Sequence, residues 1–274
     1  MIFLKKTFEY LFVLEKGRRF FILFMFSLPI GISAAFMTPT WAFSYWAANY
    51  TTGNFNFWDI WNFGANPMVF PIAGAIFLLM TVFFLSVQAT IVARSMRVGV
   101  FKVNFIFSEF NDSFFPSISS VGLYAVIYLA YKVLTTLFLT LWQAVNSTII
   151  SFALSIFSLF LMFVGVCFML GFVMLFLPLM TITGVRPQNA LVASLNKCSK
   201  NITGLAFAVA LPVLIVNVAG ALIGLINIPR LSHMTDSILF SFLATYLFTL
   251  TMVSYYEIEQ IKRTDYPREF YYKK

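Results

Sequence analysis

The sequence predicts an all-α, polytopic membrane protein with six transmembrane helices, both termini on the cytoplasmic side, and short interfacial amphipathic helices beside the bundle. Three observations carry that prediction. Of 274 residues, 61% are hydrophobic and 10% charged, against roughly 45–50% and about 25% in an ordinary soluble domain, so the chain has too few charges to cover a globule in water. Aromatic residues reach 19%, with 35 Phe, 12 Tyr and 5 Trp, and the mean hydropathy is +0.89. The 18 Lys and Arg residues, which leave a net charge of +8, are strongly segregated along the chain.

Residues 1–19 read as a cytoplasmic interfacial amphipathic helix. Its apolar positions Phe3, Leu4, Phe8, Leu11, Phe12 and Leu14 are interrupted by Lys5, Lys6, Glu9, Glu15 and Lys16. That pattern, with no small-residue cleavage site closing the next apolar run, is not expected of a signal peptide. Residues 20–256 form the six-helix transmembrane bundle. A span needs about 20 mostly apolar residues at 1.5 Å rise each to cross about 30 Å of hydrocarbon, and six stretches qualify: Phe20 to Phe43, Val69 to Ala93, Ser119 to Trp142, Ile149 to Leu177, Thr203 to Ile226 and Ser237 to Tyr256. The fourth is long enough to require tilt or a bend, and Pro178 and Gly184 mark its stop. Residues 257–274 form a basic, aromatic cytoplasmic tail.

These spans sort the basic residues. Sixteen of the 18 fall in the N-terminal segment, the second and fourth connections and the tail; Arg230 alone lies in the opposite connections, and Lys132 lies inside the third span. Such a bias places both termini in the cytoplasm, with the cell membrane as the location. It also accounts for the basic charge through topology and anionic lipid, so no nucleic-acid partner is expected.

The connections are short, the largest about 25 residues, so function falls to the spans and the surface segments. The first external loop holds Tyr45, Trp46, Tyr50, Trp58, Trp61 and one acid, Asp59; it reads as an interfacial aromatic belt rather than a ligand cage. In 94–117, Phe101, Phe105, Ile106, Phe110, Phe114 and Phe115 alternate with polar residues, predicting a segment lying on the membrane surface. In 186–201, Pro187 suits a first helical position, and Ala190, Leu191, Ser194, Leu195 and Cys198 share a face opposite Lys197 and Lys200. With Cys167 and Cys198 the only cysteines, no disulfide is expected.

An ionisable side chain at mid-membrane costs roughly 2.5–3.5 kcal/mol by insertion scales and marks a functional candidate. Lys132 is the one that falls there. At 100° per residue, Tyr124, Tyr128, Lys132, Thr135, Thr136 and Gln143 lie within about 120° of arc, giving the third span one polar stripe. Two readings stay open. Lys132 snorkels along the tyrosines or pairs with Asp236 or Asp59, or it is a fixed positive point for a lipid phosphate or carboxylate, with Tyr124, Tyr128, Thr136 and Gln143 around the ligand. In the fifth span Ala206, Ala210, Asn217, Gly220 and Gly224 share a helix-packing face. In the sixth, Ser237, Ser241, Thr245 and Thr249 repeat every four residues. Both faces are expected to pack within one chain.

Signatures of chemistry are sparse. The single His233 cannot build a two-histidine metal site, and the chain holds no glycine-rich phosphate loop, Gly-x-Ser-x-Gly elbow or cysteine cluster. No enzyme activity, metal or cofactor is expected. The stretch Pro178-Leu179-Met180-Thr181-Ile182, followed by Pro187-Gln188-Asn189-Ala190-Leu191-Val192-Ala193-Ser194-Leu195 and Asn201, resembles the Ala-Leu-x-x-Ser pattern of a superfamily of bacterial six-helix integral membrane proteins. That superfamily includes the membrane domain fused to some glycerophosphodiester phosphodiesterases; the tail from Tyr255 to Lys274 is similar too. The resemblance implies a non-catalytic bundle and carries no site residues over.

The expectation is therefore a non-enzymatic accessory or scaffold subunit of an envelope or transport complex. Its partners are membrane lipid and a membrane or cytoplasmic protein. The alternative is a transporter or lipid flippase handling an anionic or amphipathic substrate through a cavity near Lys132.

Overall fold

The computed structural model describes residues 2–37, 57–62, 69–145, 147–224 and 229–265, and among these it contains helices and no strand. The helices are α1 (Ile2–Phe8), α2 (Arg18–Met37), α3 (Phe57–Asn62), α4 (Val69–Val98), α5 (Ile106–Gln143), α6 (Thr148–Phe172), α7 (Phe176–Thr183), α8 (Pro187–Ser199), α9 (Ile202–Gly224) and α10 (Pro229–Ile258). Six helical units are long and apolar enough to cross a membrane. They correspond to the six expected spans, with α6 and α7 together making the fourth.

Packing closes these units into a ring. Going round it, α10 packs on α2, α2 on α4, α4 on α5, α5 on α6, α6 on α9, and α9 back on α10. One side of the ring is marked by contact: Arg19 at the start of α2 bonds Asp265, beyond α10, and Thr264 bonds the Met96 carbonyl near the end of α4. This side is called proximal below, and the opposite side distal.

Polar ties hold the ring in an apolar surround. The Thr245 hydroxyl donates to Ser27 Oγ at 2.8 Å. Gln88 Nε2 donates to the same oxygen at 2.7 Å and to the Leu23 carbonyl at 3.3 Å, joining α10, α2 and α4. Tyr246 Oη donates to the Ala208 carbonyl at 2.9 Å and joins α10 to α9. Interhelical bonds of this kind average about 0.6 kcal/mol each in membranes, so shape matters as much. Gly31 supplies it: a Cβ there would overlap Ser241 Oγ and the Ser237 carbonyl oxygen, so only glycine lets α2 lie this close to α10. The four-residue repeat of the sixth span is thus an intramolecular seam, with Ser241, Thr245 and Thr249 all buried.

Three segments differ from expectation. The N-terminal helix ends at Phe8 and continues as a π turn (Glu9–Val13) and a 3-10 turn (Leu14–Gly17). Glu15, Lys16 and Gly17 all take positive φ, at 55°, 53° and 81°, which reverses the chain before α2. The segment docks on the bundle and buries Phe3, Tyr10, Leu11 and Leu14. Residues 94–117 do not form a separate surface segment: α4 runs on to Val98, and Ile106 already begins α5. Arg94 and Arg97 both bond Glu109, at 2.7 and 2.9 Å, pinning the two helix ends together. That ion cluster lets polar residues extend the helices past the apolar limits. The fourth span breaks at Val173–Leu175, ahead of Pro178, which lies inside α7. A proline ring clashes with the carbonyl four residues back, here that of Met174, so the break precedes the proline. Gly184, at φ 67°, then caps α7.

α7 fills the proximal end of the ring. Phe176, Leu177, Pro178, Leu179 and Met180 are all buried, and α7 packs on α4, α5 and α10.

Candidate functional site

On the distal side of that plug, the ring encloses a cavity of about 450 Å³. All six ring units contribute to its wall, including Ile30 and Ala34 from α2, Phe77 and Thr81 from α4, Leu170 and Met174 at the break, Val209 from α9, and Leu247 and Phe248 from α10. Helix α5 presents Val121, Tyr124, Ala125, Tyr128, Leu129 and Lys132. Their spacing of three, four and three residues is what a single helical stripe requires. Trp61 of α3 reaches in from the distal side, and its ring lies 4.7 Å from Lys132 Nζ. An ammonium at that distance from an indole face is in cation–π range.

The stripe read from sequence is therefore brought together in part. Lys132, Tyr124 and Tyr128 share the cavity wall. Thr136 and Gln143 are not among its described lining residues. Thr136 is buried, and its hydroxyl donates to the Lys132 carbonyl at 2.8 Å, serving its own helix. Gln143 closes the distal end of α5, three turns beyond Lys132. Asp236 is buried in α10, while the Asp59 side chain lies outside the described residues. Of the first-loop aromatics, Tyr45, Trp46 and Tyr50 also lie outside them; Trp58 is exposed, and Trp61 belongs to the cavity instead of a belt. The sequence pattern placed Trp61 in an interfacial belt because a residue on a separate element has no helical phase to link it to α5.

On the fifth span, Ala206 and Gly220 are buried as expected. Asn217, expected on the same face, is exposed, and its Nδ2 donates to the Val213 carbonyl at 2.8 Å. Gly224 ends α9, and its surroundings lie outside the described residues.

The floor of the cavity is tied to α8. Breaking the fourth span frees backbone groups that lipid cannot satisfy. Ser194, fully buried, supplies the partner: its hydroxyl donates to the Phe172 carbonyl at 2.8 Å and accepts from the Leu175 N–H at 3.2 Å. Ala190 and Cys198, one turn to either side, are buried with it, whereas Leu195 is 40% exposed, so the buried face of α8 is narrower than the sequence pattern. Burial pushes the Cys198 thiol up from its ordinary range, against the opposing effect of its hydrogen bonds to Ser194 and to backbone at Leu175 and Met174. Lys197, on the outer face, bonds Glu259 beyond α10 at 2.6 Å.

A second polar cluster lies at the proximal end. Arg19 and Arg263 are 2% and 3% exposed, and Asp265 sits between them. Arg19 Nη1 donates to Asp265 Oδ2 at 2.6 Å, Arg263 donates to both Asp265 oxygens at 3.0 and 2.8 Å, and Arg19 also pairs with Glu15 at 3.0 Å. Both guanidinium groups lie over the Tyr10 ring, at 4.8 and 5.2 Å. Residues that composition assigns to topology are here structural, and the first part of the tail is docked. The signal available in sequence was the Arg-Thr-Asp triplet, which is too short to stand out.

No family model, no curated protein and no solved structure matches this chain.

Proposed function

We propose that this chain is a non-catalytic, multi-pass membrane protein that takes an anionic amphipathic molecule into the cavity of its six-helix ring, as a transporter or lipid-handling protein. One observation carries the reading: an ammonium, two tyrosines and a tryptophan on the wall of a mainly apolar cavity within the bundle. Sites for small molecules have this composition, mostly apolar with a few convergent polar groups. The Lys132 ammonium, beside the Trp61 ring, sets a positive charge on this wall that matches a negatively charged group of a ligand. The distribution of basic residues supports cytoplasmic termini in the cell membrane, which puts the Lys132 end of the cavity in the outer half of the bilayer.

The test is retention of anionic lipid by the purified protein in nanodiscs, read by native mass spectrometry. Lys132→Met is expected to weaken retention about tenfold, a loss of about 1.4 kcal/mol, and Lys132→Arg to preserve it. Equal retention by wild type and Lys132→Met overturns the reading.

The scaffold reading is favoured by one feature, the exposed Val192 and Leu195 on α8, at 58% and 40%. Val192→Asp releases a co-purifying partner if that surface is a contact, and leaves composition unchanged if it is not.

A further inference from the structure

We infer that the ligand of this cavity is a single-chain anionic lipid, a carboxylate or phosphate headgroup on one acyl chain, with the headgroup at Lys132 and the chain directed toward α7. The inference rests on the binding reading above and specifies its substrate class.

Three properties of the cavity point to it. Charge is concentrated at one end. Lys132, with Tyr128 and Trp61, lies distally, whereas the proximal part is walled mainly by Val121, Leu170, Met174, Val209, Leu247 and Phe248; its polar members are Tyr124 and Thr251, whose hydroxyl donates to the Phe248 carbonyl. A ligand matching this wall is charged at one end and hydrocarbon at the other. The second property is depth. The α5 stripe runs from Lys132 to Val121, eleven residues and therefore about 16 Å, close to half of a hydrocarbon core of about 30 Å. That is the reach of one chain within one leaflet. Volume is the third. At about 450 Å³ the cavity falls at the lower end of the size range of small-molecule pockets, which suits one acyl chain better than two.

The apolar end is also closed. The buried run from Val173 to Met180 lies between the cavity and the proximal face, so the chain terminates against Met174. A free inorganic anion would use the Lys132 end alone and leave the apolar part unfilled.

The full-length protein in phosphatidylcholine nanodiscs tests this through the part of its tryptophan fluorescence that Trp61→Phe removes. Palmitate and monoacyl phosphatidylglycerol are expected to bind saturably. Butyrate, inorganic phosphate and diacyl phosphatidylglycerol are expected to bind at least tenfold more weakly. A palmitate analogue brominated near the carboxylate is expected to quench more than one brominated near the methyl end, and Trp61→Phe to abolish that difference. Ala125→Phe, which fills the wall without touching Lys132, is expected to shorten the best-bound chain by several carbons, as a filled rather than unfolded site would. Diacyl lipid binding as well as the monoacyl form overturns the single-chain assignment and leaves the binding reading standing. Phosphate or butyrate competing as well as palmitate overturns the chain's role. Absence of binding by every anionic ligand overturns both.

Discussion

At Ser194, one hydroxyl closes a gap that Pro178 opens sixteen residues earlier. Its two bonds, to the Phe172 carbonyl and from the Leu175 N–H, satisfy backbone atoms inside the bundle. Ser194→Ala leaves both without that partner and is expected to cost about 1–3 kcal/mol, read as a lowered unfolding midpoint in detergent. Gly31→Ala acts through shape instead. The added Cβ meets backbone atoms of α10 that no rotamer change can move. The expected result is a larger loss than the hydroxyl deletion, measured in the same unfolding assay. Cys198 offers a pH readout. Because burial raises its pKa, thiolate is scarcer at neutral pH than for a free cysteine. In a Cys167→Ala background, maleimide labelling of Cys198 is expected to be slow at pH 7. Its rate should keep rising with pH above about 8.5, where an ordinary thiol levels off.

At the scale of elements, the proximal clasp joins α2, the N-terminal turns, α4 and the tail through a few buried charges. Asp265→Asn removes the carboxylate shared by Arg19 and Arg263, both buried. Arg19 keeps Glu15, but both guanidinium groups lose their shared carboxylate, and removing one partner of a buried ion pair costs about 3–5 kcal/mol. The expected outcome is early release of the tail, seen as protease cleavage after residue 258 under conditions where the wild type resists. The Arg94–Glu109–Arg97 cluster is more exposed and falls in the class of ion pairs worth about 1 kcal/mol or less. Glu109→Gln is therefore expected to change the unfolding midpoint far less than Asp265→Asn.

For the whole molecule, the Arg19–Asp265 and Thr264–Met96 contacts bring the start of α2 and the segment after α10 to one side of the ring, and under the proposed positive-inside orientation that side faces the cytoplasm. Reporter fusions at either terminus are expected to report the cytoplasm, and a fusion in the turn at 144–147 the exterior. The six spans and the polar stripe of α5 were legible in the sequence. Lipid imposes its length on every crossing helix, and 3.6-residue periodicity sets which residues share a face. The helix pairing was not legible, since apolar faces are interchangeable to hydropathy and contacts such as Gly31 against Ser241 depend on three-dimensional shape. Nor was the use of Trp61, Arg19, Asp265 and Ser194, whose partners are distant in sequence. What the sequence by itself determined is the apolar character of this protein, the number of helices long and apolar enough to span a membrane, and the phase of Lys132, because those follow from local composition and period. Only the tertiary structure decided that Lys132 faces a cavity within the bundle, that α7 packs at one end of the ring, and that Arg19 and Arg263 form a clasp on Asp265. Cavities and buried ion pairs arise from the closure of the ring, which no local stretch of chain encodes.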